Sequence, residues 1–479
     1  MERATAIRDS LIQAGLYRSG QNNGTSASNG VSTEGNDLWR IGTTPFPLNQ
    51  TEHLFLKKLG AHLLAFYEAC NQLYHDSING QAPSWAAEYL NQGKPEAVLE
   101  YARMKRFKRD LPRIIRPDLI PTDRGMIATE LDAVPGGIGQ TAALSSIYHA
   151  HMLENEVLIG TQEGLLTGFE QMIRGLVDKA EPLLAIVVSE ESKSYRPEMH
   201  WLAKALTQRG LTSFAIEPKA VQFTEEGLFF IEREGRKRPI DVLYRFFELF
   251  DLKNIPKSEL ILYAAKKNQV VLTPPPKAFL EEKSLFALFH HPQLSGFWER
   301  HLGQETKTVL KSVFPKTWLL DPSKVPPHAV IPDLTVAGIP VSDFRELAKA
   351  SQKERQFALK PSGFSELAWG SRGVSIGHDL SEEDWRTAIE KAMTSFPETP
   401  YILQAFHKGK KVRVEYAEFK TGRLIEMEGR VRLSPYYFVE GKEAQLGGVL
   451  ATICSLEKKL IHGMVDAVMV PCSAPADSF

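Results

Sequence analysis

The stretch TELDAVPGGIG, residues 129–139, decides how this chain is read. Glu130 and Asp132 stand two apart at the expected end of a strand, so alternation turns both carboxylates to one face, where they repel. A Pro-Gly-Gly turn follows at once. Upstream, RPDLIPTDRGMIATELD (116–132) holds two strand-like runs, around 114–119 and 126–132, joined through PTDRG, a composition suited to a tight connection. If the runs pair as an antiparallel hairpin, Asp118 returns beside Glu130 and Asp132. Three such hard oxygen donors suit Mg²⁺, which takes one or two carboxylates and completes its shell with water and phosphate oxygens. The bland alternative is a polar strand end facing solvent before a plain turn.

Working outward, 479 residues allow two or three domains, and 43% hydrophobic with 24% charged residues describes an ordinary globular composition. A formal charge of -1 offers no global attraction to nucleic acid or anionic membranes, so any anion site must be built locally. Cys70, Cys454 and Cys472 form neither a CxxC pair nor a zinc spacing, which fits a reducing cytoplasm. No signal peptide and no membrane span is expected.

Residues 19–37 are rich in Gly, Ser and Asn and poor in large apolar side chains, so 1–37 reads as a flexible N-terminal segment. Thr51 is the expected N-cap of a long helix whose Leu56, Leu59, Leu63, Phe66 and Cys70 make one apolar stripe. A second helix, about 95–108, runs into a basic stretch, Arg103, Lys105, Arg106, Lys108 and Arg109, which is either a solvated face or an approach to polyphosphate or nucleic acid. From 146 the order becomes strand, helix, strand: LLAIVVS (183–189), PEMHWLAKALTQRG (197–210), TSFAIE (212–217), FFIE (229–232) and DVLYRFF (241–247). That order fits a small parallel α/β unit. The proline cluster in VVLTPPPKAF (270–279) places a domain crossing there. The expected units are 1–37, 38–145 with the hairpin, 146–275 as the α/β substrate domain, and 276–479 for nucleotide binding.

Four later stretches add candidates. FALKPSGFSELAWGSRGVSIG (357–377) is a strand ending at Lys360, a loop with Gly363, Ser365, Gly370, Ser371 and Gly373, and a second strand. Its glycines would let backbone N–H groups close on phosphate while Lys360 supplies charge; an ordinary long hairpin loop is the alternative. The Walker A pattern is absent. YILQAF (401–406) stops at Gln404, Ala405 and Phe406, a possible adenine edge or simply a buried strand. Arg430 and Arg432 share a strand face, to meet an anion or to sit exposed on an edge. Lys283 opens the helix of LEEKSLFALFHHP, whose adjacent His290 and His291 cannot share a metal and read as structural or capping.

Taken together these residues resemble the ATP-grasp superfamily, specifically its circularly permuted members related to glutathionylspermidine synthase. The likeness rests on Arg-x-Asp, eleven residues, Glu-x-Asp (Arg116, Asp118, Glu130, Asp132) preceding the lysines, and extends over about 40–479. It implies an α/β (α+β) permuted ATP-grasp fold with a Rossmann-like unit and an N-terminal helical segment. It implies Mg²⁺ on Asp118, Glu130 and Asp132; ATP phosphates on Lys283 and Lys360, covered by the Ser365–Gly373 loop; adenine at Gln404–Phe406; and Arg116 at the reacting phosphoryl or acyl phosphate, to which the strand-face reading adds Arg432 as a catalytic candidate. Asp132 departs from the usual Asn, and Trp369 makes the loop bulkier than a minimal flap. No amidase domain is visible.

The reaction so implied is an ADP-forming ligation: a small-molecule or peptide carboxylate attacks the γ-phosphate of ATP, and an amine displaces phosphate from the acyl phosphate to form an amide. Glu248 or Glu198 would line the amine pocket, or serve as surface salt-bridge partners. The alternatives are an inactive nucleotide-binding scaffold and a phosphotransferase to a non-carboxylate acceptor.

Overall fold

The computed structural model describes residues 1–17, 39–151, 157–161, 163–368, 372–458, 461 and 466–476. The chain opens with α1 (Glu2–Gln13), whose Ala4, Ile7 and Leu11 are buried and which packs on a later helix. Its three- and four-residue apolar spacing makes this helix, correcting the flexible reading of 1–37 for its first part; the Gly/Ser/Asn-rich part lies outside the described residues. Next come α2 (Gln50–Ile78), α3 (Ser84–Asn91) and α4 (Glu96–Arg103). The α2 cap is Asn49, not Thr51: its side chain accepts the Glu52 N–H while Glu52 reaches back to the Asn49 N–H, a reciprocal box. The expected stripe from Leu56 to Cys70 is buried throughout. Phe66 in its middle meets Phe289, Trp298 and Phe314, and each such aromatic is worth about 1.5–3 kcal/mol of burial.

Helix α4 ends at Arg103 rather than running to 108. Met104 turns to extended backbone and Phe107 buries in the core of the α/β unit, pulling the basic stretch off the helix into turns. Strands β1 (Ile114–Thr122) and β2 (Gly125–Asp132) then form the expected antiparallel hairpin, with Asp118 opposite Glu130, Arg116 opposite Asp132, and a bulge after Asp118.

Helices α5 (Ile138–Ala150) and α6 (Gly164–Arg174) follow, α5 running unbroken across the expected boundary at 145/146. The α/β unit is built from β3 (Leu184–Val188), α7 (Arg196–Gln208), β4 (Ser213–Ile216), β5 (Val242–Phe246), α8 (Ser258–Lys266) and β6 (Val271–Thr273). Its four strands are all parallel, in the order β6-β5-β3-β4. The FFIE segment is not among them; Gly227–Ile231 lies in a separate three-stranded antiparallel sheet.

After α9 (Ser284–His290) and α10 (Ser295–Val313), a four-stranded sheet collects β7 (Thr317–Leu319), β8 (Phe357–Pro361), β9 (Ser375–Ile376), preceding α11 (Glu382–Thr394), and β10 (Tyr401–Ala405), in the order β7-β10-β8-β9. The last strands, β11 (Lys411–Glu418), β12 (Arg423–Glu440), β13 (Glu443–Ser455) and β14 (Val468–Ala474), leave that sheet and join the early hairpin. β12 pairs with β1, β11 and β13, so Arg430 and Arg432 lie on an interior strand. Residues 276–479 therefore serve three sheets, the third a small pair of Thr335–Val336 with Ile339–Pro340, and the large one is completed only when late strands join the early hairpin. Among the described residues no helix is long and apolar enough to cross a membrane.

Candidate active site

The hairpin end, the start of α9, the end of β8 and the middle of β12 meet at one point. Leu433 pairs with Leu119, which sets Arg432 and Ser434 beside Asp118. Both Asp118 oxygens are engaged: Oδ1 accepts the Ser434 hydroxyl at 2.9 Å and lies 3.2 Å from Arg116 Nε, and Oδ2 lies 3.1 Å from Arg432 Nη1. Arg116 also pairs with Asp132 at 3.0 Å and donates to the Gly136 carbonyl at 2.9 Å. Lys283 Nζ, at the start of α9, is 3.5 Å from Glu130 Oε2 and donates to the Ala368 carbonyl of the glycine loop. Buried Lys360 donates to the Thr129 carbonyl at 2.9 Å and to Gln404 Oε1 at 2.8 Å. Residues 231 positions apart thus touch at the carboxylate strand.

Charge follows from this crowding. Burial alone would raise the Glu130 carboxyl, yet Lys283, Lys360, Arg116 and Arg432 hold it down at about 2. Asp132 moves the other way: burial, with the Glu130 charge, outweighs Arg116 and raises its carboxyl. Burial lowers the Lys360 ammonium to about 8, against the pull of Glu130.

The Pro-Gly-Gly turn is braced from three sides. Arg116 and the Tyr436 hydroxyl both donate to the Gly136 carbonyl. Gly137 sits at φ +84°, where a side chain would be strained. Glu198, from α7, accepts the N–H groups of Gly137 and Gln140 at 2.8 Å each, capping α5 from outside the helix. Glu198 is therefore buried, not a surface ion-pair partner, and burial raises its carboxyl to about 7 against those backbone donors. Glu248 is likewise no surface partner: burial, then the neighbouring Glu281 charge, push its carboxyl well up, and Glu281 itself pairs with Arg245.

The glycine loop leaves β8 as expected for a strand–loop–strand, with β8 and β9 antiparallel. Gly363 has its N–H on Glu282 Oε2 at 2.9 Å, and a Cβ there would lie 2.3 Å from the Glu281 carbonyl. Ser365 supports the turn by accepting the Leu367 N–H, and Gly373 packs on Pro361. Trp369, Gly370 and Ser371 lie outside the described residues. At the proposed adenine edge the backbone donors point inward: Ala405 N–H goes to the Lys316 carbonyl and Phe406 N–H to that of Gln356, while the Gln404 side chain holds Lys360. Those two N–H groups and that side chain are unavailable to a base; the half-buried Phe406 ring, edge-on to His378 at 4.6 Å, is left as the flat surface. His290 accepts no metal role: its Nε2 lies 3.2 Å from the Phe314 carbonyl.

Two residues carry the loop that sequence reading passed over. Glu282 accepts the Ser362 hydroxyl and the Gly363 and Phe364 N–H groups, and its other partner is the Lys94 ammonium at 2.5 Å, both side chains fully buried. The adjacency of Glu282 to Lys283 in LEEKS was a signal for the first; nothing local marks Lys94, in the turn between α3 and α4.

A closed three-carboxylate metal shell is not what the geometry forms. Among the described residues no group of three or more His, Cys, Asp and Glu side chains is arranged to hold a metal ion, because Asp118 is capped by two arginines and a serine. Glu130 and Asp132 remain as hard oxygen donors, a set that fits Mg²⁺ when phosphate and water complete the shell. The Arg432 Nε is buried with no acceptor, an orphan donor that an anionic oxygen would satisfy.

No protein-family model matches this sequence, and no curated protein does. Among solved structures, a glutathione synthetase-like effector from Globodera pallida, in its apoform, matches with a TM-score of 0.55 at 12% identity, over 99% of this chain and 96% of that one. The chain has the fold of that effector. A Methylobacillus flagellatus KT protein provisionally named a gamma-glutamylcysteine synthetase also matches, with a TM-score of 0.39 at 12% identity, over 82% of this chain and 87% of that one.

Proposed function

We propose that the chain is an ATP-dependent, ADP-forming carboxylate–amine ligase on a circularly permuted ATP-grasp fold. The observation that carries the reading is the convergence of Lys283 and Lys360 on the strand end of Thr129 and Glu130, beside Arg116 and Arg432. Four cations around a few carboxylates, on elements from both halves of the chain, suit a polyphosphate whose charge grows during transfer. The fold shared with a glutathione synthetase-like effector supports the same class.

In this reading Lys360 and Lys283 bind the phosphates and hold the Thr129–Glu130 strand end against them. Arg432 turns its unpaired Nε to the transferred phosphoryl group, and Arg116 fixes both the Gly136 turn and Asp132. Phe406 packs on the adenine. Glu130 and Asp132 would hold Mg²⁺, which supplies charge neutralisation between the phosphates. The charge of Asp132, where Asn is usual, serves its pair with Arg116. The Ser362–Phe364 backbone, fixed by Glu282, closes the loop over the site and keeps water out. A carboxylate and an amine, small-molecule or peptide, are the co-substrates.

The test is ADP and phosphate release from Mg-ATP in the presence of fractionated cell metabolites. The expected result is release that depends on one fraction supplying both acid and amine and falls at least 100-fold in Glu130→Ala. AMP with pyrophosphate as products, a stable phosphorylated product formed without amine, or full activity in Glu130→Ala refutes the proposal.

A further inference from the structure

Outside the candidate active site, the basic stretch after α4 wraps a cavity of about 860 Å³. Arg103, Lys105, Arg106, Lys108 and Arg109 line it, against one acid, Asp110. Arg103 is paired with Glu96 at 2.9 Å and Arg106 with Asp110 at 3.2 Å. Lys105, Lys108 and Arg109 are exposed and have no carboxylate partner among the described residues.

Three features set this apart from a solvated helix face. All the cations but Arg103 are off the helix, on turns that curve around a concavity of small-molecule size. Those turns are held from beneath: the buried Lys277 ammonium donates to Asn71 Oδ1 at 2.7 Å, the Lys108 carbonyl at 3.0 Å and the Asp110 carbonyl at 2.8 Å, while Asn71 also donates to the Lys108 carbonyl. Three acceptors meet its three N–H donors, against burial that lowers the ammonium to about 7. The third feature is His75 in the cavity wall: it is 6% exposed, and its Nε2 is buried with no hydrogen-bond partner.

We propose that this cavity binds a small polyphosphorylated molecule, distinct from the nucleotide of the candidate active site. Three unpaired cations on a fixed arch match the charge of a di- or triphosphate, and the exposed Ile78 in the same wall offers an apolar surface to the rest of the ligand. A concavity lined by cations on turns, rather than a basic stripe along an extended surface, favours a small ligand over a nucleic-acid strand. Lys277 lies six residues before Lys283, so the arch and the active-site lysine share one short segment. Occupancy of the cavity is positioned to be felt at the loop.

The probe is inorganic tripolyphosphate, titrated calorimetrically into the full chain and into Lys105→Ser/Lys108→Ser/Arg109→Ser. All three side chains are exposed, so the variant is expected to melt at the temperature of the parent. The expected result is one binding site fewer per chain in the variant, with affinity restored in Lys105→Arg/Lys108→Arg/Arg109→Lys. The difference of one site holds whether or not the candidate active site also takes the probe, so failure here is separable from failure of the ligase reading. The proposal is overturned by identical stoichiometry in parent and variant, by no tripolyphosphate binding to the parent, or by tighter binding of a single-stranded oligonucleotide than of tripolyphosphate.

Discussion

The buried pair Lys94–Glu282 offers the sharpest perturbation, because it fixes the start of the glycine loop without belonging to the candidate substrate contacts. At 2.5 Å and an effective dielectric of about 20, the attraction is roughly 6–7 kcal/mol. Desolvation costs several kcal/mol per ion and offsets most of that, so the intact pair adds little net stability, yet removing one partner strands the other. The two single variants should therefore differ. Lys94→Met leaves the Glu282 carboxylate with the Ser362 hydroxyl and the Gly363 and Phe364 N–H groups, and should cost about 2–3 kcal/mol. Glu282→Gln leaves an ammonium in the interior with no counter-charge, only neutral neighbours such as the new amide oxygen, the Gln92 carbonyl at 3.5 Å and the Phe364 ring, and should cost about 3–5 kcal/mol. The double variant removes both charges and should fall short of the sum by at least about 1 kcal/mol. Amide hydrogen exchange at Gly363 and Phe364 reads the local opening directly. An opening eased by about 2–3 kcal/mol speeds exchange there roughly 30- to 150-fold, while amides of β3 and β5 keep their protection. Unchanged exchange at 363 and 364 in both single variants, or strictly additive effects, refutes the anchor.

Further outcomes follow from the same contacts. Lys360→Met should weaken ATP binding by at least tenfold; in the parent the affinity should decline as pH rises through about 8, where Lys360 loses its proton, and Lys360→Arg should flatten that decline in an ATP titration between pH 7 and 9.5. Glu130, held at about 2 against an ordinary 4.5, contributes stability that is complete above its unfolded value and lost as pH falls from about 4.5 toward 2; melting curves of Glu130→Gln across that window should show a shallower acid limb. Glu198→Ala strips the N–H groups of Gly137 and Gln140 of their acceptor and should cost about 1–3 kcal/mol by urea unfolding, with loss of exchange protection confined first to the start of α5.

The hairpin, the small parallel unit and the loop between β8 and β9 were legible because each is written in local pattern: alternation, a strand–helix–strand order, glycines between apolar runs. The pairing of β12 with β1 was not, since nothing in Leu433 or Leu119 announces a partner more than 300 residues away. The end of α4 was misjudged for a similar reason: Met104 and Phe107 continue a plausible helical stripe, and only the distant core that receives Phe107 breaks it. At the site, lysines and carboxylates were identifiable by type, but the partner of each was not. Asp118 is a candidate metal ligand by residue type, but the arginine that pairs with its Oδ2 comes from the other end of the chain, which no local pattern announces.

That capture bears on why position 132 is Asp. Three carboxylates face four cations, and every carboxylate has a cationic neighbour: Asp118 with Arg116 and Arg432, Glu130 with Lys283, Asp132 with Arg116. An Asn at 132 would keep an acceptor for the Val134 N–H, which Asp132 Oδ1 now receives at 2.9 Å, but would leave Arg116 balanced by Asp118 alone. Arg116 would then be drawn wholly to the Asp118 side, away from the Gly136 carbonyl it now braces. The second negative charge holds the guanidinium between two carboxylates, with its Nη1 on the turn. In this chain the extra acid works first on the arginine, and the elevated carboxyl of Asp132 is the electrostatic consequence of placing it so near Glu130. A polyphosphate arriving with a divalent cation changes both terms at once: the anion competes for Arg432 and the lysines, and the cation relieves the repulsion between Glu130 and Asp132. The crowding of acids in TELDAVPGGIG is thus tolerated because cations are drawn to it from three distant segments, and those same cations are what an incoming phosphate would meet.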